Sequence, residues 1–137
     1  RCDIKSVNLL ANVLARQRAR QAGVFEAILV NGGFMTEGAI SNVMVVQGGM
    51  VVTAPEGARI LSGVTRAIVL DLARSAGVSV QERFVSQAEL YEADEVFLTG
   101  TTVEVLAVVR VDEKMIGTGR PGPITQRLAE SFTNRID

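Results

Sequence analysis

Residues 41–53, SNVMVVQGGMVVT, constrain the fold more than any other stretch of the chain. Ser41 to Gln47 and Met50 to Thr53 are apolar runs in which β-branched valines cluster on either side of Gly48-Gly49. They predict two strands joined by a tight turn. Phe25 to Val30 reads as another strand, followed by a hairpin-type turn at Asn31-Gly32-Gly33. Glu95 to Leu98 and Val103 to Val111 read as buried strands.

Helical spacing alternates with these runs. Ser6 to Ala22 carries Val7, Leu10, Ala11 and Leu14 on one face, and Gly23 offers a stop. Thr65 to Ala76 predicts a second helix with Ile68, Val69 and Leu72 inward, Thr65 as N-cap and Gly77 after its last turn. Ser86 and Glu89 have the capping-box spacing and mark a short helix to about Ala93. Pro121-Gly122-Pro123 starts a final amphipathic helix carrying Ile124, Leu128 and Phe132. No repeat, low-complexity segment or linker interrupts the 137 residues. The reading is one mixed α/β domain, rich in hairpins, whose sheet is mixed and not purely parallel.

Composition narrows the chemistry. The chain has no histidine, which removes Ser-His-Asp and Cys-His catalysis and the common histidine-based zinc sites, so no metal is expected. Cys2 is the only cysteine; no internal disulfide can form, which suits a reducing cytoplasm. Fourteen Lys and Arg against 15 Asp and Glu leave a net charge of -1, giving no reason to expect nucleic acid or an anionic membrane as partner. Arg16, Arg18 and Arg20 read as a solvated helix face, since no aromatic residue interleaves with them. No apolar run approaches the roughly 20 residues that span a bilayer, and no signal-peptide pattern opens the chain. Chemistry here must use Lys, Asp, Glu, Ser, Thr, backbone amides or a cofactor.

Three polar clusters sit at element ends. Lys5 lies between Asp3 and the first helix; alone it reads as a surface lysine, and it could form a Schiff base only if burial or a neighbouring cation lowered its pKa. Met35-Thr36-Glu37-Gly38, followed by Ser41-Asn42, makes Glu37 a loop carboxylate between two strands, with Gly38 free to aim the turn. Leu61-Ser62-Gly63-Val64-Thr65 and Leu98-Thr99-Gly100-Thr101-Thr102 are phosphate-cradle candidates, one at a helix start and one at a strand end.

In this order the clusters resemble something specific. DIKSVNLL, then TEG with SN shortly after, then LSGVTR, then LTGTTVEV are similar to the fold-type IV pyridoxal-phosphate aminotransferases. D-amino acid aminotransferases come closest, with branched-chain aminotransferases and aminodeoxychorismate lyases more distant. The resemblance runs from Cys2 to the final helix and includes Gly119-Arg120-Pro121-Gly122-Pro123 before that helix. It implies a barrel-like C-terminal domain that binds pyridoxal 5′-phosphate. It also implies that Lys5 is the residue joined to the cofactor aldehyde as a Schiff base and the base that moves the substrate proton. Glu37 matches the carboxylate that keeps the pyridine nitrogen protonated, so that the ring can accept the carbanion's electrons. Leu61 matches the apolar residue against the ring face, Val64 and Thr65 the helix-start phosphate cradle, and Thr101 the threonine that closes it. Ser41 and the backbone N–H of Thr102 fall on the substrate side.

Two departures stand out. Ala39-Ile40-Ser41 replaces a serine-rich stretch common in the D-specific enzymes, and Gly100 before Thr101 is more like the branched-chain ones. The family also carries an N-terminal domain of comparable size before its lysine, whereas this chain begins four residues before Lys5. The expectation is a cofactor-binding domain of a cytoplasmic transaminase that takes amino acid and 2-oxo acid substrates, D-amino acids first. The intact enzyme would be a homodimer, and this chain alone would be inactive without the missing half. The alternatives are aminodeoxychorismate lyase-like or branched-chain aminotransferase activity.

Overall fold

The paired glycines turn the chain where the sequence predicts in a computed structural model that describes residues 28–31, 33–38, 41–55, 63–100 and 104–136. β1 (Ile28–Asn31) and β2 (Phe34–Gly38) pair antiparallel, with Asn31 opposite Phe34. β3 (Asn42–Gln47) and β4 (Met50–Thr53) pair likewise, with Gln47 opposite Met50. Gly48 and Gly49 between them have φ of 57° and 79°. A two-residue hairpin whose twist matches its strands needs that left-handed backbone at both positions, which is why two glycines stand there.

The chain continues through α1 (Val64–Ser75), β5 (Val80–Glu82), β6 (Val85–Ser86) and α2 (Gln87–Glu92). β7 (Glu95–Gly100), β8 (Glu104–Val108), β9 (Arg110–Val111), β10 (Lys114–Met115) and α3 (Pro123–Ile136) complete the described elements. The main sheet has the order β5-β4-β3-β7-β8. Only its β4–β5 pairing is parallel, so the sheet is mixed, as expected. A second sheet runs β1-β2-β6, and β9 and β10 form a separate hairpin.

β3 reads as an unbroken apolar run because both its faces are covered. Val43 and Val45 point with Val52, Val96 and Leu98 toward Met35 of β2, Val85 of β6 and Leu90 of α2. Met44 and Val46 point the other way, with Val51 and Phe97, against Val69, Leu70 and Ala73 of α1 and Leu128 and Phe132 of α3. Two-sided burial favours continuous hydrophobicity over alternation, even in an antiparallel strand. The first core lies between the two sheets, the barrel-like arrangement that the resemblance implies.

Helix ends show both local and distant capping. At α2 the capping box forms as predicted: Ser86 Oγ accepts from the Glu89 N–H at 3.1 Å, and Glu89 Oε1 accepts from the Ser86 N–H at 3.2 Å. The Arg83 guanidinium lies 2.9 Å from the other Glu89 oxygen. The Arg83 hydrogen bond, followed by that from the Ser86 backbone, holds the Glu89 carboxyl below its usual 4.5. A depressed carboxylate pKa stabilises the fold above the unfolded value and loses that effect as pH falls through the folded one. Glu89→Gln should therefore lower Tm at neutral pH, with the gap to the parent closing on acidification below 4.5. Tm against pH for the two proteins checks this, and a gap that stays constant into acid would refute it.

At α3 the cap comes from elsewhere. The Glu95 carboxylate, on β7, accepts from the N–H groups of Ile124 at 3.3 Å and Thr125 at 2.8 Å, and from the Thr125 hydroxyl at 2.8 Å. A Cβ at Gly122 would lie 2.1 Å from Glu95 Cδ, so only glycine lets the carboxylate reach the helix start. Pro123 is the first helical residue, where its missing N–H costs nothing.

Several expectations need correction. Thr65 is not the N-cap of α1; Gly63 is, and no side chain caps that end. The most buried apolar residues of α1 are Val69, Leu70 and Ala73, with Ile68 and Leu72 half-buried at the margin, because α1 packs on α3 as well as on the sheet. The predicted buried strand 103–111 breaks at Val109 into β8 and β9. β8 is partly exposed, with Leu106 36% exposed, since among the described residues it pairs with β7 alone. The strands β5, β6 and β10 carry too short an apolar signal to be read. The first predicted helix, 6–22, lies outside the described residues, and among the described residues no helix is long and apolar enough to cross a membrane.

Candidate functional site

The end of the main sheet where β3 begins and β7 ends gathers polar residues under the start of α1. Asn42 stands opposite Thr99 across the β3–β7 ladder. By strand alternation Asn42 shares a face with Met44, and Thr99 with Phe97, which is the face that α1 covers. Asn42 is 6% exposed and Thr99 is fully buried. Among the described residues the Thr99 hydroxyl has no hydrogen-bond partner. A buried hydroxyl left unpaired costs about 1–3 kcal/mol, which makes the Thr99 hydroxyl a candidate to meet a further polar group.

α1 touches down on this cluster. A Cβ at Gly63 would sit 2.4 Å from Asn42 Oδ1, so glycine alone permits the approach. Ser41 is buried at 7%, and Thr65 at 9% is the second helical residue. Val64, the first, is 78% exposed, so its side chain faces open space. The first turn contains no acidic residue and receives no side-chain cap. The positive end of the helix dipole at this start favours an anion.

The same turn is anchored by a residue to which the sequence reading gave no role. Arg66 is 2% exposed, and its Nη2 donates to the Ala54 carbonyl at 2.9 Å and to Glu82 Oε1 at 2.8 Å. A hollow of about 230 Å³ beside it is lined by Arg66, Leu70, Asp71, Arg74 and Glu82. Its charges are paired, with Arg74 3.5 Å from Asp71 and 3.7 Å from Glu82, so it holds no excess charge for a ligand.

The remaining predicted residues divide as follows. Glu37 lies within strand β2 and not in a loop, between Met35, paired with Val30, and Gly38, paired with Ile28, where the β1–β2 register shifts. Its side chain lies outside the described part, as do Lys5, Leu61, Thr101 and Thr102. The structure thus joins Ser41, Val64 and Thr65 at one sheet end. It adds Asn42, Gly63, Arg66 and Thr99, all within quoted motifs but without assigned roles. Arg66 did carry a signal: a cation in the first turn opposes the helix dipole, which hints at a partner elsewhere. Among the described residues no group of three or more Cys, Asp or Glu gathers as a metal site.

The family profile described as Amino-transferase class IV matches residues 1–111. The D-alanine aminotransferase of Bacillus licheniformis is 46% identical over 136 residues, covering 99% of this chain and 48% of that protein. A putative branched-chain-amino-acid aminotransferase of Methanocaldococcus jannaschii is 41% identical over 130 residues, covering 94% of this chain and 45% of that one. A branched-chain amino acid aminotransferase from T.th., solved with pyridoxamine 5′-phosphate, superposes with a TM-score of 0.89 at 36% identity. The match covers 93% of this chain and 43% of that one. The chain spans about half the length of the curated relatives it matches.

Proposed function

Because the chain belongs to the amino-transferase class IV family, we propose that it is the cofactor-binding part of a transaminase that moves an amino group between a D-amino acid and a 2-oxo acid. The cofactor is pyridoxal 5′-phosphate, of which the pyridoxamine 5′-phosphate named with the T.th. structure is the aminated form. One observation carries the assignment to this sheet end: a helix start with no acidic residue in its first turn, set on Asn42 through Gly63, with a buried Thr99 hydroxyl on the same face that has no partner among the described residues. Those features suit a phosphate group, which needs many donors and no nearby carboxylate.

When bound, the cofactor supplies an electron sink for the bond broken at the substrate α-carbon. The protein's part is to hold it and to move protons. The N–H groups of Val64 and Thr65 would donate to the phosphate, and Thr101 would close the cradle. Leu61 would cover one ring face and exclude water there. Glu37 would hold a proton at the ring nitrogen. Lys5 would anchor the aldehyde carbon and, once released, carry the α-proton on its Nζ. Ser41 and the Thr102 N–H would lie toward the substrate. A further domain of comparable size would complete the cleft in a cytoplasmic homodimer.

The identity to the D-alanine aminotransferase supports the D-amino acid reading. Gly100 before Thr101 and the branched-chain structural likeness favour a second reading, a branched-chain enzyme. Borohydride reduction of the intact protein with its cofactor, followed by peptide mapping, tests the site: the label is expected on Lys5, and a label on another lysine refutes the assignment. In the same protein before reduction, alanine formed from pyruvate at the expense of a D-amino acid supports the leading reading. Use of L-leucine in its place supports the second, and release of pyruvate with no amine acceptor indicates a lyase.

A further inference from the structure

We propose that Arg66 is a positioning residue for the cofactor's phosphate, setting where the first turn of α1 stands over the sheet; this rests on the functional reading above. The first turn is fixed at two points. At Gly63 the backbone rests on Asn42, closely enough that a methyl group could not intervene. Three residues on, Arg66 reaches away from that contact and binds the Ala54 carbonyl, just past the end of β4, and Glu82 at the end of β5. Val64 and Thr65, whose N–H groups face the phosphate, lie between these points. Their position is therefore determined by the sheet on one side and by a buried guanidinium on the other.

Stability alone gives a poor account of Arg66. A cation in the first turn opposes the helix dipole, and burying a guanidinium costs several kcal/mol before its partners compensate. An apolar side chain of similar volume would hold α1 on the sheet at least as well. What it could not supply is direction. The guanidinium donates from Nη2 to a backbone carbonyl and a carboxylate at once, at 2.9 Å and 2.8 Å, which ties the first turn of the helix to the ends of both β4 and β5. Glu82 is 39% exposed and also lies 3.7 Å from Arg74, which follows Arg66 by about two helical turns, so the same carboxylate holds the helix at a second level. Catalytic geometry is sensitive on this scale, since a misplacement of about 1 Å can cost on the order of 10²-fold in rate.

The test uses the intact protein with pyridoxal 5′-phosphate and the variants Arg66→Met, which keeps volume and removes both bonds, and Glu82→Gln, which weakens one bond at a half-exposed site. The readouts are the cofactor dissociation constant, the ³¹P resonance of the bound phosphate, and hydrogen exchange of the 65–67 amides in the cofactor-free protein. Arg66→Met is expected to weaken cofactor binding by at least about tenfold, to shift the ³¹P resonance and to speed exchange in the first turn while the core amides stay protected. Glu82→Gln is expected to shift all three in the same direction by less. Should Arg66→Met unfold, the Glu82→Gln shifts decide. Wild-type values for the phosphate resonance and first-turn exchange in both variants would overturn the proposal, whatever their Tm. Failure of the parent protein to bind the cofactor would instead overturn the functional reading, and this inference with it.

Discussion

Phe97→Ala is expected to destabilise the fold by about 3–5 kcal/mol, the range for deleting a buried aromatic ring. Phe97 has no exposed surface and lies in β7, between β3 and β8. It stands opposite Met44 on one side and Ala107 on the other. Its side chain belongs to the core shared with Val69 and Leu70 of α1 and Leu128 and Phe132 of α3. Three layers of contact meet at this ring. The hole left by its removal cannot collapse without moving both helices toward a hydrogen-bonded sheet, so transfer and cavity costs add. Urea denaturation should show a lower midpoint with an unchanged m-value. Leu106→Ala, on the partly exposed strand β8, is the contrast and should cost less, since Leu106 keeps 36% of its surface in water and its site opens to solvent, so no closed cavity is left. A Phe97→Ala loss no greater than that of Leu106→Ala would mean that the two helices do not converge on β7 as described.

What the sequence made legible was local. The Gly48-Gly49 turn shows because a two-residue hairpin needs left-handed backbone at both positions, and the valines around it show because β3 is covered on both faces. The Ser86–Glu89 box shows because both partners lie within one turn. The failures share the opposite cause. Glu95 caps a helix whose first bonded residue lies 29 positions further on, and nothing near either end announces it. Glu37 reads as loop because threonine, glutamate and glycine form a poor strand sequence; pairing of Met35 and Gly38 with β1 on either side carries the strand through it. Whether 103–111 would be central or marginal depended on sheet order, which no window of residues contains. The site followed the same rule. A helix start close to Val64 and Thr65 was legible, but the close approach of Gly63 to Asn42 that sets it on the sheet joins residues 21 positions apart in the numbering of the chain. Arg66 was visible only as an electrostatic misfit, a cation where the dipole prefers an anion.

If Lys5 has the role proposed for it, Lys5→Ala in the intact protein is expected to lower kcat by about 10²–10⁴-fold through loss of the proton carrier, with loss of covalent attachment of the cofactor in addition. The prediction is sharper than a simple loss of activity, because anchor and cradle are separate pieces of the chain. The phosphate would be held by the α1 start, by Thr101 and by the polar end of β3 and β7, none of which includes Lys5. Cofactor should therefore still bind to Lys5→Ala through its phosphate, more weakly, and borohydride should no longer fix it to the protein. Lys5→Arg keeps the charge but cannot form the covalent bond or give up a proton at neutral pH, and should be as inactive as the alanine variant. A small primary amine added to the buffer supplies the missing proton carrier and should restore part of the rate to Lys5→Ala, where a space is left, and none to Lys5→Arg. If Lys5→Ala kept more than about a tenth of the parent rate, less than the smallest factor that a positioned general base usually contributes, the proton carrier would be another residue. The chain has no histidine, and Lys114 is its only other lysine. Lys114 would then be the first to examine, although it lies on the β9–β10 hairpin with its Nζ 4.7 Å from the centre of the Tyr91 ring.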